Sequence, residues 1–357
     1  MENWIKDKGH PWIISGPCSA ESPEQLEQTC LQLAEGGIRT LRAGVWKPRT
    51  RPHQFEGVGA IALEWIKEIK TAHPSLSFAV EVATPEHVER CLKAGIDILW
   101  IGARTTVNPF NVQELADVLK GVNIPVLVKN PVNPDLALWM GAIERIMHAG
   151  ITQIGAIHRG FSSFQKSKYR NMPLWQIPLE LKTLHPSLPL ICDPSHIAGK
   201  RALLQEIAQR AMDMNYDGLM IESHIHPESA LSDAEQQLTP KALLSLLANL
   251  SIRSASSSNP LFINKLEELR HQIDQADREI LEALASRMAL VEQLGEYKKE
   301  NNVAVFQIER WNEVFHSRPE WGKALRLSPD FVEELYKIIH TESIKIQTEV
   351  SQQNPSR

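Results

Sequence analysis

Short runs of apolar, often β-branched residues recur along the first two thirds of the chain, and amphipathic segments separate them. The runs are Trp12–Gly16, Thr40–Val45, Phe78–Val82, Ile98–Gly102, Pro125–Val128, Gln153–Ile157, Leu188–Cys192 and Gly218–Ile221. Segments such as Pro23–Glu35, Glu86–Lys93 and Leu136–Met147 have the spacing of helices with one apolar face. Eight strands alternating with helices over about 250 residues predict a (β/α)8 barrel. A doubly wound open sheet is the alternative, although no glycine-rich dinucleotide-binding loop follows the first run.

The pattern changes at residues 251–260, which are rich in serine and end in proline, as linkers often are. We therefore predict three segments: a barrel of residues 1–250, this linker, and an all-α domain of residues 261–357. Beyond the linker no strand pattern remains.

Three helices are predicted in the all-α domain. The first spans about Asn264–Glu300 and stops at Asn301-Asn302, and the others are Glu309–Ser317 and Pro329–Val350. The apolar stripe of the first consists of Leu266, Leu269, Ile273, Ala276, Ile280, Leu284, Val291 and Leu294. A helix of this length needs to pack its stripe along another long helix or a second chain.

Composition excludes several classes of function. The chain has 357 residues, of which 43% are hydrophobic and 23% charged, as in ordinary globular proteins. Its net charge of −5 argues against a general nucleic-acid-binding role. No apolar stretch approaches the roughly 18–20 residues of a membrane span, so no membrane partner is predicted. The amino terminus lacks an apolar signal region, and four cysteines are too few for a disulfide framework, which predicts the reducing cytoplasm.

Polar residues follow the ends of nearly every predicted strand. In a barrel such residues line one common mouth. They are Cys18, Glu21, Arg42, Lys47, Arg49, Thr50, Glu81, Arg104, Lys129, Asn130, His158, Arg159, Asp193, His196, Glu222, His224 and Asp233. Several are cations in a chain whose total charge is negative. This favours a site for anions, either two phosphates or a phosphate and a carboxylate, because arginine binds such groups bidentately.

A second subset of these residues has the chemistry of metal ligands. A thiolate, an imidazole and two carboxylates, from Cys18, His196, Glu222 and Asp233, suit a borderline divalent ion such as Mn²⁺, Fe²⁺, Co²⁺ or Zn²⁺. The four residues lie far apart in the sequence, so their spacing does not mark them as ligands. The residue types alone therefore leave a metal site and separate structural roles equally open.

Several strings in the first 240 residues resemble the family of 3-deoxy-D-arabino-heptulosonate-7-phosphate (DAHP) synthases, in its smaller subclass. They are Gly16-Pro17-Cys18-Ser19-Ala20-Glu21, Arg42 with Lys47-Pro48-Arg49-Thr50, Ile101-Gly102-Ala103-Arg104, Asp193-Pro194-Ser195-His196, Gly218-Leu219-Met220-Ile221-Glu222 and Ala230-Leu231-Ser232-Asp233. Lys47-Pro48-Arg49-Thr50 is the discriminating string. The sister 3-deoxy-octulosonate-8-phosphate synthases carry a Lys-Ala-Asn-Arg-Ser-Ser type of segment there.

The resemblance implies condensation of phosphoenolpyruvate with erythrose 4-phosphate, which releases phosphate and opens aromatic amino-acid biosynthesis. Cys18, His196, Glu222 and Asp233 would hold the metal, with Mn²⁺ as first candidate and Co²⁺, Fe²⁺ and Zn²⁺ as alternatives. Anion-binding roles would fall to Arg104 and Arg159 for the phosphate of phosphoenolpyruvate, Arg42, Lys47 and Lys129 for its carboxylate and the reacting centre, and Arg49 and Thr50 for the erythrose 4-phosphate phosphate. Lys47 is also the candidate proton donor.

The substrate loops depart from the family pattern at several positions. Lys129 is followed by Asn130-Pro131 where the subclass usually has Arg-Gly, and His158 stands where Glu is commoner. Arg51 follows Thr50 in place of Ser. These changes concern substrate contacts and not the predicted metal ligands.

The helical segment 264–350 resembles the all-helical chorismate mutases. The resemblance rests on Leu269-Arg270, Ile273-Asp274, Arg287, Lys298, Arg310, Ser343 and Gln347. It implies rearrangement of chorismate to prephenate, with Arg287 and Lys298 as catalytic residues and Arg270, Gln307, Arg310, Ser343 and Gln347 as substrate-binding residues. The substrate is a dianion, so catalysis requires cations around it and no nucleophile or metal.

Helical geometry agrees with part of this assignment. Arg287 and Lys298 are separated by about 20° on the helical wheel and share a face, whereas Arg270 lies about 100° away. Arg270 therefore fits a residue that reaches into a partner chain's site, as in the intertwined dimers of this family. Trp311 replaces a Glu that in the family usually contacts the substrate hydroxyl, and Glu313 is the candidate substitute.

Two alternatives to a bifunctional enzyme remain. In the first, the helical domain mainly senses prephenate or chorismate, forms the homodimer or higher homo-oligomer, and controls the barrel with little mutase activity of its own. Feedback inhibition by prephenate or chorismate is expected in either case. In the second, the barrel is the sister synthase, which uses arabinose 5-phosphate.

Overall fold

A computed structural model describes most of the chain. The described residues are 4–5, 11–47, 55–164, 167–253 and 256–352. The predicted phosphate-binding residues Arg49 and Thr50 lie outside them. The chain divides into two compact units, Met1–Ala255 and Ser256–Arg357.

The first unit contains a barrel of parallel strands that follow one another in sequence order around the described sheet. The strands are β1 (Trp12–Gly16), β2 (Thr40–Ala43), β3 (Ser77–Val82), β4 (Ile98–Ile101), β5 (Val126–Lys129), β6 (Ile154–His158), β7 (Leu190–Cys192) and β8 (Gly218–Glu222). β1 pairs with β2 on one side and with β8 on the other, with Trp12 opposite Gly218, which closes the sheet. The predicted (β/α)8 fold is confirmed, and the open sheet is excluded.

Helices cover the outside of the strands. They are α1 (Pro23–Glu35), α2 (Ile61–Ala72), α3 (Pro85–Lys93), α4 (Ala103–Thr106), α5 (Pro109–Val118), α6 (Leu136–His148), α7 (Gln176–Leu184), α8 (Pro194–Ala198), α9 (Leu204–Asp213) and α10 (Pro240–Ala248). Several begin with a capping side chain followed by proline, such as Ser22 and Thr84, whose oxygens accept a backbone N–H of the first turn. The caps satisfy donors that would otherwise lack partners and set where each helix begins.

Alternate residues of the strands form two apolar layers. One set, including Trp12, Trp100 and Met220, fills the inside of the barrel. The other, including Phe78 and Leu219, packs outward against the helices. Because each buried side chain of this size contributes about 1.5–3 kcal/mol, the two layers hold the carboxyl ends of the strands in one rim.

The second unit consists of three helices, as predicted. They are α11 (Pro260–Glu300), α12 (Ile308–Ala324) and α13 (Pro329–Gln352). α11 begins four residues earlier than expected because Asn259 accepts hydrogen bonds from the first-turn N–H groups and Pro260 occupies the first position. α12 continues through Pro319 to Ala324, beyond the predicted end. No helix in the described part of the chain is both long and apolar enough to cross a bilayer.

Much of the apolar stripe of α11 is uncovered within its unit. Leu269, Ile273 and Ile280 are 45%, 59% and 57% exposed. Nearer the carboxyl end, Val291 and Lys298 are buried. The first half of this helix therefore carries an apolar face that the described residues of its own unit do not bury.

Replacing Gly16, the last residue of β1, tests how closely the backbone of neighbouring strands packs at the carboxyl end of the barrel. Gly16 has a φ of +148°, and a Cβ atom there would lie 2.1 Å from the Arg42 carbonyl oxygen. Gly16→Ala should lower the free energy of unfolding by about 3 kcal/mol or more, from backbone strain plus this clash. Urea denaturation measures the effect.

Gly37→Ala is the matched control, since Gly37 also has a positive φ but nothing lies within 4 Å of the position that a Cβ atom would take. Strain alone should cost about 1–2 kcal/mol there. Equal losses for the two variants would contradict the packing described for the β1 end.

Two candidate active sites

The four predicted metal ligands converge at the carboxyl end of the barrel. Ligand atoms of Cys18, Glu222 and Asp233 all lie within 4.8 Å of one another, and the Cys18 Sγ is 3.4 Å from Asp233 Oδ2. His196 Nε2 lies 3.8 Å from Glu222 Oε1. Cys18 and Glu222 are buried, and the side chain of His196 is 17% exposed.

Each of these residues is placed by its own backbone. Cys18 follows β1, and its N–H donates to Gln237 Oε1 at 2.9 Å. Glu222 ends β8, and its N–H donates to Ser195 Oγ at 3.0 Å. Asp233 adopts a φ of +47°, a conformation in which Asp is several-fold enriched among residues other than glycine. The residues come from distant parts of the chain because the barrel brings its strand ends together.

The donor set fits a divalent cation. Glu222 Oε1 is buried and accepts no hydrogen bond from the described residues, although it faces Arg42 Nη2 at 3.1 Å. Burial, with the nearby Glu222 carboxylate, raises the pKa of the Cys18 thiol to about 12. A cation among these atoms would offset both effects, and the mixed sulfur, nitrogen and oxygen donors suit a borderline metal.

Asp193 orients His196. Its buried Oδ2 lies 2.8 Å from His196 Nδ1 and 2.7 Å from Lys129 Nζ. Its Oδ1 accepts a hydrogen bond from the backbone N–H of His196. Although burial acts in the opposite direction, His196 and Lys129 hold the pKa of Asp193 well below its usual value. A carboxylate behind a histidine in this way fixes which ring nitrogen faces a metal. The sequence pattern indicated Asp193 only as a polar residue of the mouth.

A cavity of about 330 Å³ is lined by two of these ligands, His196 and Asp233. The cations Lys47, Arg104, Lys129 and Arg159, all predicted for anion binding, line it. Although Glu81 and Asp233 also line the cavity, the cations around it can bind phosphate or carboxylate groups.

Arg42, also predicted for anion binding, is fully buried and does not line this cavity. Its guanidinium contacts Glu222 and sits 5.1 Å from the centre of the Trp100 ring. Its Nε and Nη1 atoms are buried without a hydrogen-bond partner among the described residues. A buried guanidinium with two unused donors fits a residue that binds an anionic ligand.

Asn130, one of the departures from the family pattern, has a structural explanation. Its Oδ1 accepts the Arg159 N–H at 2.7 Å, and its Nδ2 donates to the Gly160 carbonyl at 2.8 Å. These bonds join the ends of β5 and β6. Arg159 in turn donates to Asn171 Oδ1 at 2.8 Å, and burial lowers the Arg159 pKa to about 10, which leaves it charged at neutral pH.

Arg170 is a site residue that the sequence pattern did not predict. It lines the cavity, and its Nη1 donates to Asp233 Oδ1 at 2.9 Å and to Gln236 Oε1 at 2.8 Å. Against the effect of burial, His196 and Arg170 hold the Asp233 pKa below its usual value. Neither Arg170 nor the neighbouring Asn171 follows a strand end directly, so the strand pattern offered no signal for them.

His158 was predicted to face the mouth, and this is wrong. It does not line the cavity; its Nε2 lies 2.6 Å from the Pro173 carbonyl and its Nδ1 lies 3.0 Å from the Tyr216 hydroxyl. Burial lowers its pKa to about 3, so the ring is neutral. His158 anchors the segment after β6 because it is packed between Trp175 and Tyr216.

A second cavity, of about 410 Å³, lies within the helical unit. Its predicted members are Arg287, Lys298, Gln307, Arg310, Ser343 and Gln347. Arg287 Nη1 donates to Ser343 Oγ at 2.7 Å, and Lys298 Nζ donates to the Val305 carbonyl at 2.7 Å. Six of the seven residues predicted for this site therefore share one cavity.

Arg270 does not line this cavity. It pairs with Glu267 at 2.7 Å on the exposed first half of α11. Glu313, the candidate substitute for the acidic residue replaced by Trp311, is also absent from the lining and pairs with Arg310. Whether Glu313 takes the place of that acidic residue stays a prediction. Arg318, Tyr336 and His340 line the cavity and were not predicted.

A (β/α)8 barrel whose strand ends bring an anion-binding cavity next to a set of metal-type ligands is the architecture of an enzyme. The chain belongs to the DAHP synthetase I family, whose model matches residues 2–253. Residues 269–348 match the model of chorismate mutase type II.

Individual proteins agree with the two models. A phospho-2-dehydro-3-deoxyheptonate aldolase of Thermotoga maritima is 34% identical over 230 residues, which are 64% of this chain and 66% of that protein. The crystal structure of the DAHP synthase of this organism aligns with a TM-score of 0.59 and 30% identity, covering 66% of this chain and 67% of that one. The T-protein of Enterobacter agglomerans is 33% identical over 81 residues, covering 23% of this chain and 22% of its own length.

Asp193→Asn tests the orientation of His196. Loss of the carboxylate charge should weaken binding of Mn²⁺ to the metal-stripped full chain by about 10–100-fold, because the imidazole is no longer held by an anion. Isothermal titration calorimetry measures this affinity. Asp97→Asn is the control, since Asp97 bonds Lys70 and the Phe78 N–H before β4, away from the ligands. Equal affinity in both variants would contradict the role of Asp193.

Proposed function

We propose that the barrel condenses phosphoenolpyruvate with erythrose 4-phosphate and water to form DAHP and phosphate. The observation that carries this proposal is one cavity that Lys47, Arg104, Lys129 and Arg159 line together with two predicted metal ligands, His196 and Asp233. Two anionic substrates repel each other, so a reaction between them requires fixed cations that hold both. The Thermotoga maritima relative is named a phospho-2-dehydro-3-deoxyheptonate aldolase, or DAHP synthase, which supports the same assignment.

The cations divide between the anionic groups of phosphoenolpyruvate. Arg104 and Arg159 bind its phosphate, and Arg159 is held in place by Asn130 and Asn171. Arg42 binds the carboxylate through the donors that the described residues leave unused.

Cys18, His196, Glu222 and Asp233 would hold a divalent metal, with Mn²⁺ as first candidate and Co²⁺, Fe²⁺ and Zn²⁺ as alternatives. When bound, the ion supplies Lewis-acid polarisation of the aldehyde carbonyl. Other residues of the chain orient two of these ligands: Asp193 contacts His196, and Arg170 pairs with Asp233.

Lys47 is proposed to deliver the proton to the aldehyde oxygen. The side chain passes over Gly44, where a Cβ atom would lie 2.5 Å from Lys47 Nζ and 2.0 Å from the Cys18 carbonyl oxygen. Only glycine lets the amine lie this close to the Cys18 loop. As C3 of phosphoenolpyruvate forms a bond to the aldehyde carbon, the oxygen takes the Lys47 proton; water then adds at C2 and phosphate leaves.

Arg49 and Thr50 are proposed to bind the erythrose 4-phosphate phosphate, as the sequence string implies. The alternative, the sister synthase, predicts turnover with arabinose 5-phosphate and little with erythrose 4-phosphate. Release of phosphate measured with each aldose phosphate in turn separates the two activities.

We propose that the helical unit converts chorismate to prephenate. Its cavity brings Arg287, Lys298 and Arg310 to one space with the neutral Ser343 and Gln347. This arrangement stabilises a dianion and the charge that develops on the breaking ether bond, which is what the rearrangement needs.

The helical unit is also proposed to form a homodimer or higher homo-oligomer. The exposed stripe of α11, with Leu269, Ile273 and Ile280, would be covered by a second copy. Arg270, on the same exposed stretch, would then reach the partner's cavity, which explains why it does not line its own.

Control of the barrel by prephenate or chorismate bound in the helical cavity is a further part of the proposal. The alternative, in which the helical unit only senses these ligands, keeps the cavity but predicts no turnover. The cytoplasmic location stays a prediction.

The two sites should be separable by single substitutions in the full chain. Cys18→Ala should abolish the synthase reaction and leave the mutase reaction intact, because it removes one proposed metal ligand. Arg287→Ala should remove mutase activity and spare the synthase. Steady-state rates of both reactions measure the effects.

Cys30→Ala and Lys323→Ala are the controls for these two variants. Cys30 is another buried cysteine, in α1, and Lys323 is an exposed cation of α12. Synthase activity retained in Cys18→Ala would refute the ligand assignment. Mutase activity retained in Arg287→Ala would refute the second site.

Saturating prephenate or chorismate should slow the synthase reaction of the full chain. The rate of phosphoenolpyruvate consumption measures this inhibition, and Arg287→Ala should weaken it because the effector loses a cation in its cavity. A synthase rate that does not change at saturating ligand would contradict feedback control through the helical unit.

A further inference from the structure

The helical cavity contains a buried polar atom that nothing so far assigns. His340, on α13, lines the cavity with Arg287 and Lys298. Its Nε2 is buried and has no hydrogen-bond partner among the described residues. Leaving such a group unpaired is unfavourable, so a ligand that provides the missing partner would be stabilised by it.

Aromatic packing holds the His340 ring in one orientation. Trp311 meets it edge-on, with ring centres 4.2 Å apart and planes at 80°. Phe306 and Phe315 lie at 6.4 and 6.3 Å, also nearly perpendicular. Trp311 stacks in turn on Phe315 at 4.3 Å. The free nitrogen is therefore presented by a ring that its neighbours restrain.

The charges around His340 favour its neutral form. Burial lowers the pKa of His340, and the positive charges of Arg287 and Lys298 lower it further. Arg310 and Arg318 also line the cavity, and no carboxylate does so among the described residues. A neutral imidazole has one donor and one acceptor nitrogen and pairs well with a hydroxyl group.

The group of the ligand that His340 binds follows from the groups that the other lining residues can bind. Four cations, Arg287, Lys298, Arg310 and Arg318, are available for the two carboxylates of chorismate. Its remaining polar substituent is a secondary hydroxyl. The acidic residue that would contact this hydroxyl in the family is replaced by Trp311, and Glu313 does not line the cavity. His340 packs directly against Trp311, so its ring lies beside the replaced position.

We propose that Nε2 of His340 binds the ring hydroxyl of the substrate, in place of the acidic side chain that Trp311 replaces. The inference rests on the proposed mutase function of this cavity. It makes His340 a substrate-binding residue, specific for a hydroxylated cyclohexadiene dicarboxylate.

A binding comparison in the full chain tests the proposal. The probes are a bicyclic dicarboxylate shaped like the transition state of the rearrangement, with its hydroxyl, and the same compound without the hydroxyl. Wild type should bind the hydroxylated probe about 10-fold more tightly, and His340→Phe, which keeps a ring without the nitrogen, should lose this preference. Isothermal titration calorimetry measures both affinities.

His340→Gln is the conservative variant, since its terminal amide reaches the position of Nε2, and it should retain most of the preference. His316→Gln is the control, because His316 bonds the Asn312 carbonyl on the exposed side of α12 and does not line the cavity. Preference for the hydroxyl that persists in His340→Phe, or no preference in wild type, would overturn the proposal.

A measurement on wild type covers the case in which His340→Phe does not fold. The ¹⁵N chemical shift of His340 Nε2 should move when the hydroxylated probe binds and not when the other does; equal shifts would overturn the proposal. Turnover of chorismate is assayed in parallel. Hydroxyl preference without turnover would refute the mutase function and keep the role of His340, whereas turnover with preference retained in His340→Phe would do the reverse.

Discussion

The burial of opposite charges at the carboxyl ends of the strands is the constraint on which the barrel site depends. Arg42 and Glu222 meet at 3.1 Å with almost no exposure, and Asp193 lies 2.7 Å from Lys129 and 2.8 Å from His196. Removing one partner of such a pair leaves an uncompensated buried charge, which is strongly destabilising. The contacts therefore fix two predicted metal ligands, Glu222 and His196, together with Lys129, which lines the anion cavity.

The strand pattern was sufficient to predict the fold and the group of residues at the mouth. Cys18 and Glu222 follow from the ends of β1 and β8, because parallel strands in a barrel end at one rim. Arg170 and Asn171 did not follow, since they reach the cavity through the long segment after β6 and no periodicity describes its path. His158 was misplaced because the side chain at a strand end can also turn toward the helices.

In the helical unit, too, the sequence predicts which residues share a face of one helix, but not which residues of different helices come together. The helical wheel placed Arg287 and Lys298 on one face of α11, and both line the cavity. It cannot relate residues on different helices, so His340 beside Trp311 was missed. The sequence predicted the apolar stripe of α11. Only the structure shows that the described residues of the helical unit do not bury the first half of this stripe.

The two units of the chain differ in the chemistry of their cavities. The barrel combines soft and hard metal-type ligands with anion-binding cations, whereas the charged groups that line the helical cavity are all cations among the described residues. The most direct measurement follows both reactions in one sample of the full chain, before and after a chelator. Chelation should stop phosphoenolpyruvate consumption, Mn²⁺ should restore it, and chorismate consumption should continue throughout. Synthase turnover that survives chelation, or chorismate turnover that stops with the metal's removal, would contradict this expectation.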